Sequence, residues 1–150
     1  GVNNLGVDLS DPNAQDDFYL IRLENLFRIV DDWDLAQRNS EAIEDAYHEH
    51  WFCRENDGSV SFHAPEFFLR KGIVRFINGR HRTLMLRRHL KELPMALTNM
   101  DGYPLDSPKP SPESIKALTE ISVRKLSGQE VFDFPDLPVR YLGYDHNIGK

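Results

Sequence analysis

The stretch that most constrains the fold is FINGRHRTL, residues 76–84. An apolar run of β type, IVRFI at 73–77, stops at Asn78-Gly79, a strong turn signal. A helical pattern follows at 83–93, with Leu84, Leu86, Leu90 and Leu93 available for burial. Pro94 then opens a strand at 95–98. Ahead of the turn, PEFFL at 65–69, a bend at Arg70-Lys71-Gly72 and the IVRFI run read as a β-hairpin. Hairpin, basic turn, helix and strand in this order predict an α+β fold.

Residues 1–17 are polar, rich in Asn, Asp and Gly, and read as a flexible arm. Residues 18–150 read as one domain. FYLIRL at 18–23 is a strand candidate. Asp31, Asp32 and Asp34 around Trp33 mark a turn or helix start, and Ser40 caps a helix with Ile43, Tyr47 and Trp51 on one face. Residues 55–58 (ENDG) form a turn. Pro104, Pro108, Pro110 and Pro112 make a Pro-rich connection, and from about 104 the chain is expected to form a helical C-terminal extension. Within it, Ser111 is the cap and Pro112 the first position of a helix through Lys125. VRYLGY at 139–144 is a further strand candidate.

Charge is unevenly spread. The net charge is −6, yet the eight bases of residues 58–92 all lie between Arg70 and Lys91, a window without one acid. Residues 1–57 hold 14 acids and 4 bases. The acidic whole argues against a sequence-blind DNA coat, and the basic block argues for an anion site. The block could equally fold against the acidic N-terminal half. Cys53 is the only cysteine, which rules out an internal disulfide and a Cys-based zinc site. It reads as buried or inert. No membrane-length apolar run or signal-peptide pattern is present, so a cytoplasmic protein without membrane insertion is expected.

A strand that turns straight into a helix leaves backbone N–H groups at the helix start, where the dipole favours an anion. Gly79 lets a ligand approach the backbone. Arg80 and Arg82 offer forked donors for phosphate oxygens, and His81 can donate or carry a proton. The other reading is structural: Arg82 pairs with a core acid, His81 is a satisfied histidine and Arg80 is solvated. His48 and His50, two apart, would not share one zinc on a helix, and His63 and His89 are isolated. Phe67, Phe68 and Phe76 could stack on bases but at strand spacing read as core.

VRFINGRHRTLMLRRHLKELPMAL, residues 74–97, resembles the central motif of the ParB/sulfiredoxin superfamily. There an apolar strand leads into a signature such as D-G-H-H-R or G-E-R-R, a helix and an I-P-V strand. Asn78-Gly79-Arg80-His81-Arg82 stands at the signature, and Leu93-Pro94-Met95 at I-P-V. The resemblance implies a small ParB/sulfiredoxin-like mixed sheet with helices. It also implies a nucleotide, ATP or another, whose phosphates contact Asn78, Gly79, Arg80, His81, Arg82 and Thr83. Arg80 stands where sulfiredoxin has its catalytic cysteine, so sulfinic-acid repair is not expected. It also replaces the Glu of G-E-R-R. No second ParB box or helix-turn-helix is read, so a partition role is not expected either.

ATPase or DNase chemistry follows from the resemblance, with His81 and Glu66 as catalytic candidates and Glu24 as a further acid. Arg75, Arg87 and Arg88 would extend the basic patch along a DNA backbone. A divalent metal such as magnesium would help neutralise phosphate charge. Its protein ligands are not legible in the sequence. Small plasmid-encoded relatives act as fertility-inhibition factors against conjugation. The expected function is therefore nucleotide or DNA-phosphate binding in plasmid or DNA-transfer biology. The alternative is a non-catalytic protein that blocks a secretion or conjugation system through contacts with its components.

Overall fold

The computed structural model describes residues 17–31, 51–54, 60–127, 134, 135 and 137. In chain order the elements are β1 (Asp17–Arg22), α1 (Leu23–Leu26), β2 (Phe52–Arg54), β3 (Val60–Phe62), β4 (Glu66–Arg70), β5 (Ile73–Asn78), α2 (Arg80–Leu86), β6 (Glu92–Met100), α3 (Pro112–Ile121) and β7 (Ser122–Leu126). Five strands form one mixed sheet in the order β5-β4-β6-β1-β7, and β2 with β3 forms a separate two-stranded ribbon. The α+β expectation is met.

The sheet is built around β6. Consecutive residues Leu93, Pro94, Met95, Ala96 and Leu97 are all buried, so both faces of this strand are covered. β1 lies antiparallel on one side and β4 parallel on the other. Proline inside a central strand normally removes a ladder bond. Here Ala96 N donates to Pro65 O at 2.8 Å, on the β4 side. The nitrogen of Pro94, two residues earlier, faces that same side. β4 pairs only from Ala96 onward, so no ladder bond is lost at Pro94.

The predicted hairpin forms as β4 and β5, joined by Lys71 and Gly72 with φ of 50° and 80°. Positive φ at both linking residues suits the twist of a two-residue hairpin turn. β5 is an edge strand, and at Val74 the segment 29–31 crosses its outer side: Val74 N donates to Ile29 O at 2.8 Å and Asp31 N to Val74 O at 2.9 Å.

Three expectations are corrected. The central helix begins at Arg80 and ends at Leu86, rather than spanning 83–93. Gly79 already caps it, and past Leu86 i+3 bonds appear, from Arg88 N to Met85 O and His89 N to Leu86 O, before Leu90 N returns to Leu86 O. Leu84, Leu86, Leu90 and Leu93 are nevertheless all buried. The strand after it is longer than predicted and includes Pro94.

Third, the region beyond 104 is not a helical extension among the described residues. The Ser111 cap and Pro112 are as predicted, with Ser111 Oγ accepting from Ser114 N at 3.2 Å. The helix then stops at Ile121, and residues 122–126 form β7 on the far edge of the main sheet, paired with β1. The β2–β3 ribbon was not foreseen. It packs Phe52 and Phe62, centroids 5.1 Å apart, with Phe134 at 5.4 and 5.1 Å from them. Trp51 is buried beside it.

The arm at 1–16, the helix from Ser40, the turn at 55–58 and the strand at 139–144 lie outside the described residues. So do His48, His50 and the Cys53 side chain. Among the described residues, no helix is long and apolar enough to cross a membrane.

Candidate functional site

The strand-to-helix junction turns on Gly79. Its φ of 88° is left-handed, and it stands at the N-cap of α2 with no side chain to cap. A Cβ there would come within 2.6 Å of Arg82 Nη2, 2.7 Å of Pro65 Cβ and 2.8 Å of Pro65 Cα. The first helical bond runs from Thr83 N to Gly79 O at 2.9 Å, so the N–H groups of residues 80–82 are not used inside the helix. No acid lies in the first turn.

Arg82 folds back over this glycine and is half-buried. Burial pushes its guanidinium down to about 10, against the opposing pull of the Glu66 charge. Its Nε is buried without a hydrogen-bond partner, and no ion pair joins it to a described carboxylate within 4.0 Å. Glu66 is brought to the junction by the β4–β5 register, opposite Asn78.

Arg80 Nη2 lies 3.3 Å from His81 Nε2. Arginine can only donate in such a contact, so the imidazole nitrogen is the acceptor side of the pair. Thr83 is fully buried, and its hydroxyl donates to Gly79 O at 2.7 Å. It braces the turn from inside.

The structure therefore gathers Glu66, Asn78, Gly79, Arg80, His81 and Arg82 at one junction. It separates the proposed DNA-backbone cations from it. Arg75 approaches Asp31 at 4.0 Å. Arg87 and Arg88 are exposed at the other end of α2, about 10 Å along a seven-residue helix. Pro65, which walls the glycine, was missed; its place just before the hairpin was the available signal. Asp101 was also missed. Its carboxylate accepts from Lys71 N, from Ser111 N at 2.7 Å, and from Ser111 Oγ and Ser114 Oγ at 2.9 and 3.0 Å.

Among the described residues, no group of three or more His, Cys, Asp and Glu could hold a metal ion. At the junction Glu66 is the one carboxylate gathered with Arg80 and Arg82, so a magnesium ion there would be held by it together with the phosphates of a ligand rather than by a protein cage.

No family model matches the chain, and no curated protein or solved structure matches it.

Proposed function

We propose that the junction from Asn78 to Arg82 is a phosphate site and that the chain is a ParB-like nucleotide- or DNA-phosphate-binding protein of plasmid or DNA-transfer biology. The observation that carries this is Arg82: a half-buried cation with a buried, unbonded Nε and no ion-pair partner among the described residues. A desolvated charge calls for a counter-charge, and a phosphate oxygen supplies it. Arg82 and Arg80 would bind the phosphate, helped by the N–H groups of the first turn. His81 would take a proton at Nε2 once Arg80 moves to the ligand, and Glu66 would orient an attacking water. On this reading ATPase or DNase activity resides at the same junction, and fertility inhibition follows from acting on transferred DNA.

Isothermal titration with ATP, CTP and a short single-stranded DNA, with and without magnesium, tests this against Arg82→Ala and Arg80→Ala. Binding should fall in both variants. Absence of binding to all three ligands would sink the phosphate site.

One observation favours a second reading, inhibition through protein contacts with a secretion or conjugation system. Ile73 and Ile77, on the edge strand β5, are 41% and 53% exposed. Binding to such a partner would survive Arg82→Ala and fail in Ile77→Asp.

A further inference from the structure

A cavity of about 540 Å³ opens at the end of α2 remote from Gly79, between β1, α1 and the start of β6. Its floor is apolar, from buried Leu23 and Leu90. On its wall the Arg87 guanidinium lies 4.3 Å over the Phe27 ring. That contact holds a flat cation in place. Arg22, Asn25, Lys91, Glu92 and Glu24, the last paired with Arg28 at 2.9 Å, complete the lining, and neither Lys91 nor Glu92 makes an ion pair with a described residue. A second recess of about 400 Å³ shares Leu90, Lys91 and Glu92, so two recesses flank one lysine.

We propose that these recesses take adjacent bases of a single-stranded nucleic acid. A base stacks flat on a pinned guanidinium, its apolar edge over Leu23 and Leu90. Glu92 accepts from an exocyclic amino group, as a carboxylate does from cytosine N4. Lys91, between the recesses, meets the phosphate that joins the two nucleotides. The first cavity is of ligand size. A lipid or an apolar peptide fits less well. The large hydrophobic residues exposed among the described residues, Ile73, Ile77, Tyr103 and Ile115, are all absent from the lining. The inference shares a ligand class with the phosphate junction but none of its residues, so the two fail separately.

The test is fluorescence anisotropy of a labelled single-stranded DNA hexamer, beside an abasic hexamer of equal charge and a mononucleotide competitor. Variants are Arg87→Lys, which keeps charge but removes the plane, Lys91→Gln and Arg82→Ala, each first shown by circular dichroism to be folded. Wild type should prefer the base-bearing strand, and Arg87→Lys should weaken that strand about tenfold while leaving the abasic one unchanged. Lys91→Gln should weaken both, and Arg82→Ala should leave the preference for bases intact. Equal binding of the two hexamers, no effect of Arg87→Lys, or loss of the preference only in Arg82→Ala would each overturn the inference. A mononucleotide that competes as well as the hexamer would overturn the assignment to a strand.

Discussion

Arg82 Nη2 lies 2.6 Å from the point where a Cβ on Gly79 would stand. Glycine and guanidinium therefore define one another's position. Gly79→Ala should displace Arg82 or Pro65 and also strain a left-handed φ. We expect a loss of about 2 kcal/mol in urea unfolding, together with weaker phosphate binding. An alanine variant as stable as wild type would show that the junction has slack.

Arg82 should be a liability to the fold even as it serves binding. Its charge is disfavoured by burial, so the folded protein bears the strain at every pH below about 10 and is relieved as pH rises toward the ordinary arginine range. Arg82→Met, similar in length and uncharged, should raise stability by about 1 kcal/mol at pH 7 while abolishing phosphate binding. A destabilised methionine variant would mean that the guanidinium is satisfied as it stands.

Asp101 sets an acid limit. Burial pushes its carboxyl up, but the hydrogen bonds from Lys71, Ser111 and Ser114 together outweigh that and hold it below 3.8. A depressed carboxyl stabilises the fold above the unfolded value and loses that contribution as pH falls through the lower folded value. Thermal melts should therefore decline below pH 3.8, and Asp101→Asn should melt lower at pH 7 with a flatter acid limb. Identical acid limbs would remove Asp101 from the account.

Ser111 has two roles. Its hydroxyl accepts from Ser114 N and donates to Asp101 Oδ2. Ser111→Ala should cost about 1 kcal/mol in chemical denaturation, a typical cap loss, and the Asp101→Asn background should shrink that cost because the two share a bond.

The order of hairpin, basic turn, helix and strand was legible because Asn78-Gly79, Lys71-Gly72 and Pro112 act through local backbone preference. The same local logic found the Ser111 cap. What it could not find depends on pairing at a distance. Residues 122–126 extend a helical pattern on paper, yet β1 claims them as an edge strand. The β2–β3 ribbon is only three residues long on each side, and its Phe52 and Phe62 pack on Phe134, far along the chain. At the candidate site, the residue types of the turn were readable, and Glu66 reached it through register. That Thr83 points inward, and that Arg87 lies on Phe27, are matters of packing that spacing does not encode.

β1 has consequences for the timing of folding. Its two ladder partners begin at Glu92 and Ser122, so the first strand described has no neighbour until most of the described chain exists. On the ribosome β4 and β5 can close locally as soon as they emerge, but β1 must wait, with Leu20 and Ile21 uncovered, for β6 and then β7. Sheet closure around β1 therefore depends on its most sequence-distant pairings, to β6 and β7.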